Sequence, residues 1–262
     1  LLRHDGSGKN AFKNPLSFRY LDDNFIESDA VKIGKTFMDY LKKTKDPRIH
    51  VYCSLKDGNT EFDKQFGLPN GYDSHTIADA PSGSFVGLEN TSNFNINTIL
   101  RLDAPTIFLM PSETKLLLAE AVLRNWTNGN AEVLYKEAIT SSMKEQEIAY
   151  GTQGKITDEE IETYLAQNLL STANNTEKLQ IIGEQYWVAT FINGYESYAN
   201  WRRTGYPKLI PTNYSGSMSP GVIPTRLPYP TDEYSINRAN VDTANQQQGA
   251  DKVTTHIWWD ID

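Results

Sequence analysis

The sequence predicts a mostly α-helical fold in which helical hairpins pack with a loop-rich, irregular remainder. Apolar residues recur at helical spacing from residue 112 to about residue 204. Residues 56–98 are instead rich in glycine, asparagine, aspartate and serine, and residues 206–262 in proline and glycine; neither region has a sustained helical period. We therefore expect one domain covering residues 1–262, with helices that support two loop-rich regions.

The first part of the chain predicts one helix and one short strand. Residues 1–27 are mixed in character and indicate a loop. Ser28 or Asp29 can cap a helix that ends before Pro47, and lysines near its C-terminal end suit the negative end of the helix dipole. Residues 48–55 (RIHVYCSL) have the β-branched and aromatic content of a strand.

Residues 112–149 predict two antiparallel helices joined by the turn NWTNGN. Asn130 stands where it can cap the second helix. The pair fits the register of a tetratricopeptide repeat, because small and aromatic residues fall where the two helices of that repeat approach each other closely. These residues are Ala119, Ala131, Tyr135 and Ala138.

Three more helices are predicted before residue 205. Thr157 followed by Glu160 has the spacing of a capping box and predicts a helix start. Another helix runs from about residue 176 to residue 193, and a break at Gly194 separates it from a short last helix that ends before Gly205.

Composition and charge exclude several classes of function. The formal net charge is -8, and lysine and arginine are scattered, so a nucleic-acid partner is not expected. The longest apolar runs, 106–110 and 116–123, are far shorter than the roughly 20 residues of a spanning helix. Cys53 is the single cysteine, so no intramolecular disulfide can form. We expect the sequence to begin within a longer protein, with any signal or lipidation motif before Leu1.

No sequence motif for catalysis, a cofactor or a metal is evident. The chain has no H-E-x-x-H, G-x-S-x-G or C-x-x-C pattern, and its four histidines are isolated in sequence. Neighbouring carboxylates could serve a glycoside hydrolase if two of them faced each other across a cleft, but helix starts and solvated loops also explain them. The pairs are Asp22-Asp23, Glu159-Glu160 and Asp232-Glu233. We expect no cofactor and no metal.

Aromatic residues in the 56–98 region are the better candidates for ligand binding. Phe62, Tyr72 and Phe85 lie among asparagine, aspartate and glycine, where an aromatic ring can offer a flat apolar face beside hydrogen-bonding groups. Such a pairing suits a sugar ring. Trp126 and Tyr214 are further candidates on other predicted loops. The alternative, that these rings pin a long loop to the core, stays open.

Four motifs in series resemble one protein family. They are FLMPSETKLLLAEAVLRNW (108–126), INGYESYANWRRTGYPKL (192–209), RLPYPTDEYSINRAN (226–240) and HIWWD (256–260). Their order and spacing resemble the C-terminal half of SusD/RagB-like nutrient-binding outer-membrane lipoproteins, in the SusD-like, starch-binding-associated branch. MDYLKKTKDPRIHVY (38–52) and FGLPNGYDS (66–74) extend the resemblance over most of the chain.

This resemblance implies a SusD-like α/α superhelix of tetratricopeptide-like hairpins. It implies an N-terminal lipid anchor on the cell-surface side of the outer membrane of a Gram-negative bacterium. Such proteins cap a SusC-like TonB-dependent transporter, pass it oligosaccharides or, in some branches, peptides, and catalyse nothing. An interaction scaffold whose helical hairpins bind a protein partner remains the alternative function.

Members with different ligands share these motifs, so we expect the motif residues to hold the fold rather than to contact ligand. Trp201 is expected to pack, Arg202 or Arg203 to pair with a carboxylate or helix carbonyls, and Gly205 to adopt a left-handed turn. Arg226 is expected to anchor a segment that Pro228 and Pro230 keep extended, and Trp258 and Trp259 to seal the C-terminal tail against the core.

Overall fold

The computed structural model describes residues 1–7, 9–22, 31–73, 75–170, 172–214 and 216–260. This part of the chain is mostly α-helical, which confirms the predicted fold class. It forms two compact units, Leu1–Ser197 and Tyr198–Asp262. The prediction of one domain covering residues 1–262 stays a prediction.

The α-helices of the described residues are α1 (Pro15–Asp22), α2 (Lys35–Thr44), α3 (Ile49–Tyr52), α4 (Pro111–Leu123), α5 (Ala131–Tyr150), α6 (Asp158–Gln167), α7 (Asn175–Ala189), α8 (Gly194–Thr204), α9 (Thr231–Ile236) and α10 (Arg238–Gln248). The strands β1 (Cys53–Ser54) and β2 (Asn93–Phe94) pair antiparallel, with Cys53 opposite Phe94.

Helix α1 corrects the prediction that residues 1–27 are a loop. The side-chain oxygen of Asn14 accepts hydrogen bonds from the backbone N–H groups of Leu16, at 2.9 Å, and Ser17, at 3.2 Å. Pro15 then occupies the first helical position, where its missing N–H has no cost. Asparagine followed by proline was the available sequence signal for this helix start.

Helix α2 ends as predicted and begins later than predicted. Lys42 and Lys43 lie in its last turn, and Lys45 closes it in the left-handed conformation. The helix begins after Gly34. The proposed caps Ser28 and Asp29 lie outside the described residues.

The predicted strand at 48–55 is wrong for its first half. Asp46 accepts a hydrogen bond at 3.0 Å from the backbone N–H of Arg48, which starts a helical turn, and α3 follows from Ile49 to Tyr52. Only Cys53 and Ser54 are strand. A tertiary network around Arg48 therefore outweighs the strand preference of the sequence.

Helices α4 and α5 form the predicted antiparallel hairpin. The hydroxyl of Ser112, at the start of α4, donates to Glu145 near the end of α5 at 2.6 Å, whereas Lys115 pairs with Glu137 one turn further along. Ala119, Tyr135 and Ala138 are buried at the helix contact, and the predicted cap Asn130 accepts from the N–H of Val133. Ala131, the fourth register residue, is half-buried, and the tetratricopeptide-like assignment of residues 112–149 stays a prediction.

Two later helices begin with capping boxes. At α6, Thr157 and Glu160 exchange the predicted pair of hydrogen bonds. At α7, Asn174 and Glu177 do the same. The core of the first unit is formed where α2, α4, α5 and α7 meet, with buried residues Leu41, Leu116, Ile139, Met143 and Val188.

The 56–98 region is irregular, as its composition predicts. It contains short 3-10 turns at Phe62–Lys64, Ile77–Asp79 and Leu88–Asn90 and ends in β2. Residues 56–98 thus form a long, mostly irregular loop of the first unit, the 56–98 excursion.

Helices α9 and α10 correct the prediction of a wholly irregular tail after residue 206. In α9, Pro230 precedes the helix and acidic residues occupy its first turn. In α10, Val241 is the buried residue. Because α10 is otherwise polar, it carries no apolar period by which the sequence could reveal it.

Aromatic rings and an arginine stack within the second unit. The guanidinium carbon of Arg202 lies 4.6 Å from the ring centre of Tyr198 and 4.7 Å from that of Trp259, and Tyr198 stacks on Trp201. Arg202 donates to the backbone carbonyl of Thr225, a loop carbonyl, and Arg203 donates to the side-chain oxygen of Asn200 at 2.7 Å. Pairing of one of these arginines with a carboxylate or with helix carbonyls stays a prediction. Trp258 is 83% exposed, so the expectation that it seals the tail is wrong.

Two other motif residues of the second unit have their expected conformations. Gly205 has φ +68°, the left-handed conformation that favours glycine. Arg226 pairs with Asp251 at 2.9 Å, and the same carboxylate accepts from the N–H of Tyr229 and the hydroxyl of Tyr234. Arg226 and Asp251 thus anchor the segment that contains Pro228 and Pro230.

Candidate functional site

A cleft of about 610 Å³ opens in the first unit. Its walls are the C-terminal end of α2, the start of α3, the turn at Phe62 and one face of α6. The lining residues are Lys45, Pro47, Ile49, His50, Thr60, Phe62, Glu159, Glu160, Thr163, Tyr164 and Gln167.

Apolar side chains form much of the cleft surface. Ile49 and Tyr164 are buried core residues that reach it from α3 and α6. Phe62 is partly buried and packs against the same core while lining the cleft. A planar apolar ring is therefore fixed at the edge of a solvent-facing depression.

Gln65 holds the turn that carries Phe62. Its side chain is buried, and its amide nitrogen donates to the backbone carbonyls of Asn59, at 3.0 Å, and Glu61, at 3.2 Å. Its amide oxygen accepts from the hydroxyl of Ser92 at 2.8 Å. Because both polar atoms of the Gln65 side chain are hydrogen-bonded within the excursion, the loop around Phe62 has a defined shape.

Polar side chains of α6 form another part of the cleft lining. Glu159, Thr163 and Gln167 recur every four residues, so they share one helix face, and all three line the cleft. The amide, hydroxyl and carboxylate groups of this face can donate and accept several hydrogen bonds. The cleft thus pairs an apolar ring with a polar wall.

Glu160 is the one carboxylate of the cleft that is tied to the protein. Its oxygen accepts from the N–H of Thr157 at 2.8 Å and from the hydroxyl of Thr157 at 2.7 Å. Burial alone would raise the pKa of Glu160, but these hydrogen bonds and the nearby His50 lower the pKa below its usual value. A lowered pKa is the opposite of what the general acid of a glycoside hydrolase needs.

A buried ion pair supports the wall formed by Pro47 and Ile49. Arg48, between them, is 0% exposed and donates to both carboxylate oxygens of Asp46. It also donates to Ser142 of α5 at 3.0 Å and to Gln185 of α7 at 2.7 Å. The network fixes this wall to the core.

The structure places one of the five predicted ligand-binding residues in the cleft. Phe62 lines it, whereas Tyr72 and Phe85 are half-buried in the 56–98 excursion and lie outside its lining. Trp126 is 69% exposed on the turn after α4, 5.3 Å from the guanidinium of Arg124, and Tyr214 is exposed in the second unit. Contact of these residues with ligand stays a prediction.

The polar wall was missed by the sequence analysis. The four-residue spacing of Glu159, Thr163 and Gln167 was visible as one face of a predicted helix. Nothing local to α6 shows that this face lines the same cleft as Phe62, which is about a hundred residues away in sequence.

The helical hairpin, the loop excursion and the cleft define a mostly α-helical protein with a solvent-facing pocket supported by its helices. The family model described as SusD-like, starch-binding associating with outer membrane, matches residues 5–230. The chain therefore belongs to the SusD-like family. Among its described residues, no helix combines the length and apolar character needed to cross a membrane.

Solved structures of SusD homologues share this fold. A chitin-binding protein aligns with a TM-score of 0.77 at 29% identity, over 96% of this chain and 54% of its own. A SusD homologue from Bacteroides fragilis aligns with a TM-score of 0.70 at 26% identity, over 88% of this chain and 52% of its own.

A chitin-binding SusD homologue from Flavobacterium johnsoniae also has the fold. It aligns with a TM-score of 0.72 at 24% identity, over 96% of this chain and 53% of its own. The chain thus spans about half the length of the structures it matches. No protein of curated function matches it significantly.

Proposed function

We propose that this protein binds an oligosaccharide in the cleft at Phe62 and delivers it to a partner TonB-dependent transporter. The observation that carries the proposal is that the partly exposed ring of Phe62 and the polar face of α6 line the same cleft. Membership of the SusD-like family and similarity to a chitin-binding protein support it.

The two sides of the cleft suit the two sides of a pyranose ring. A sugar ring has a face of C–H groups, which can stack on Phe62, and a rim of hydroxyl groups. Glu159, Thr163 and Gln167 offer acceptors and donors to that rim. Stacking provides apolar burial, and the hydrogen bonds fix the orientation of the ring.

Family membership supports the proposed location and partner. The family description places its members in association with the outer membrane. We propose that a lipid anchor holds this protein on the cell-surface side, where it captures glycans and passes them to a SusC-like transporter. In this proposal the protein releases its ligand unchanged and catalyses nothing.

Calorimetry of the full chain against an oligosaccharide array, including chito- and malto-oligosaccharides, tests the binding step. Fully burying a phenylalanine side chain provides about 1.5–3 kcal/mol, and one face of the partly buried Phe62 ring accounts for about half of this, so Phe62→Ala should weaken binding about 3- to 12-fold. Phe108→Ala is a matched control, because Phe108 is 66% exposed and lies outside the cleft lining. The affinity of Phe108→Ala for each oligosaccharide should equal that of the wild type.

Three results would contradict the proposal. Absence of binding across the array would remove the glycan function and leave a protein-interaction scaffold or a peptide-binding protein. Equal affinities of wild type and Phe62→Ala would place the ligand elsewhere. Release of shortened products, followed by chromatography of the same mixtures, would make the protein a glycoside hydrolase.

A further inference from the structure

A second aromatic ring is presented four residues after Phe62. Phe66 is 39% exposed and lies outside the lining of the cleft. The ammonium of Lys42, from the last turn of α2, lies 4.3 Å from the centre of the Phe66 ring. One face of the ring is thus covered by a cation of the protein itself.

The backbone that carries Phe66 is fixed on both sides. Its N–H donates to the hydroxyl of Ser92 at 3.1 Å, and its carbonyl accepts from the N–H of Ser92 at 2.8 Å. Two residues later, Leu68 exchanges backbone hydrogen bonds at 2.7 Å with Ile33 and Lys35. The ring therefore stands on a backbone that needs no ordering when a ligand binds.

Gly67 makes this close fit possible. A side chain at Gly67 would place its Cβ 2.4 Å from the Cα of Lys35, a backbone atom that cannot move aside. The absence of a side chain lets the Phe66 segment lie directly on the start of α2. The position of Phe66 relative to α2 is consequently set by backbone contacts.

Lys42 connects the Phe66 ring to the cleft. Besides lying over Phe66, its ammonium donates to the backbone carbonyl of Asp63, the neighbour of Phe62, at 3.4 Å. Burial lowers the pKa of Lys42, and the carboxylates of Asp63 and Asp39 oppose this effect. Lys45, three residues after Lys42, lines the cleft itself. The end of α2 thus borders both Phe62 and Phe66.

We propose that Phe66, held by Lys42, is a second sugar-stacking position beside the cleft, so that the ligand is an extended oligosaccharide lying on both Phe62 and Phe66. This inference rests on the proposed function. Phe66 follows Phe62 by four residues, so their Cα atoms are at most about 14 Å apart, a separation that a short oligosaccharide can span.

Two stacking positions predict that affinity depends on ligand length. The shortest ligand fills the cleft at Phe62, whereas a longer one also covers the open face of Phe66. Lys42 keeps that ring in place from its other face.

The test is calorimetry of the full chain against chitobiose through chitohexaose and the corresponding malto-oligosaccharides. Wild-type affinity should rise with length in the series that binds. Phe66→Ala should leave the affinity for the shortest ligand unchanged and weaken binding of the longest about 3- to 12-fold, the effect of about half of one aromatic burial. Lys42→Met should weaken the longest ligand by a smaller factor.

Two further variants separate stacking from folding. Phe66→Tyr keeps the ring and should retain the affinity for the longest ligand. Phe108→Ala removes another exposed phenylalanine and should match the wild type at every length. Thermal unfolding monitored by circular dichroism shows whether each variant is folded.

Two outcomes would overturn the inference. If short and long oligosaccharides bind equally well, or if Phe66→Ala affects neither or both alike, the ligand does not extend over Phe66, while binding at Phe62 and the proposed function stand. If no member of either series binds, both the proposed function and this inference fail.

Discussion

Replacing Arg48 by methionine should strongly destabilise the protein. The arginine is fully buried, and its guanidinium supplies hydrogen bonds to Asp46, Ser142 and Gln185. In Arg48→Met these acceptors lose their donors, and the Asp46 carboxylate stays buried without its countercharge.

The magnitude follows from the burial of the pair. Removing one partner of a buried ion pair costs about 3–5 kcal/mol, mainly because the other charge remains uncompensated. Since domains of this kind have unfolding free energies of about 5–15 kcal/mol, the loss is a large part of the total. The double variant Asp46→Asn/Arg48→Met also removes the unpaired charge of Asp46, so it should recover part of the stability lost in Arg48→Met.

Urea unfolding followed by circular dichroism measures these differences. Arg48→Lys is the matched variant, because it keeps the positive charge but loses the branched set of guanidinium N–H donors. We expect its unfolding free energy to lie between those of the wild type and Arg48→Met. Because Pro47 and Ile49 flank Arg48 and line the cleft, ligand affinity should fall with stability in the same order. A loss below about 1 kcal/mol in Arg48→Met would refute the reasoning, because an exposed pair has that value.

Three other changes follow from buried groups. Burial raises the pKa of Glu113 above its ordinary value, against the hydrogen bond from the N–H of Met110 and with the help of the Glu196 and Glu145 carboxylates, so the folded protein binds the proton more tightly. The free energy of unfolding of the wild type should therefore fall as pH rises through the raised pKa of Glu113. Urea titrations across this pH range should show Glu113→Gln gaining stability relative to the wild type. Burial also raises the pKa of Cys53, so a thiol reagent such as Ellman's should label it only after unfolding. Gly67→Ala should cost about 1–3 kcal/mol by forcing apart the backbones at Lys35, measured by chemical denaturation.

Each of these has a contrary result. If the unfolding free energies of Glu113→Gln and of the wild type change with pH in the same way, the Glu113 carboxyl is not buried in solution. Rapid labelling of Cys53 in native buffer would mean that β1 opens readily. A Gly67→Ala variant as stable as wild type would mean that the loop at Phe66 can shift away from α2.

The helical hairpin could be predicted from the sequence because its signals are local. Asn130 caps α5, Thr157 and Glu160 cap α6, and the small residues of α4 and α5 follow the repeat register. The sequence failed where distant residues decide the conformation. Ile49 to Tyr52 has strand preference but forms α3, because Asp46 and the helices α5 and α7 hold Arg48.

The candidate site was predictable only in part. Phe62 could be selected because an aromatic residue among amides and glycines is typical of a ligand-binding loop. Its partners on α6 could not, since the contact joins segments far apart in sequence. Phe66 differs from the other aromatic residues of the excursion by its contact with Lys42. This contact likewise depends on the packing of α2 against the excursion.

The most direct test of glycan binding at the cleft is a crystal structure of the protein with an oligosaccharide from the array. We expect a sugar ring stacked on Phe62, with its hydroxyl groups hydrogen-bonded to the α6 face that carries Glu159 and Gln167. A ligand bound at Trp126 or Tyr214, with the cleft empty, would contradict it.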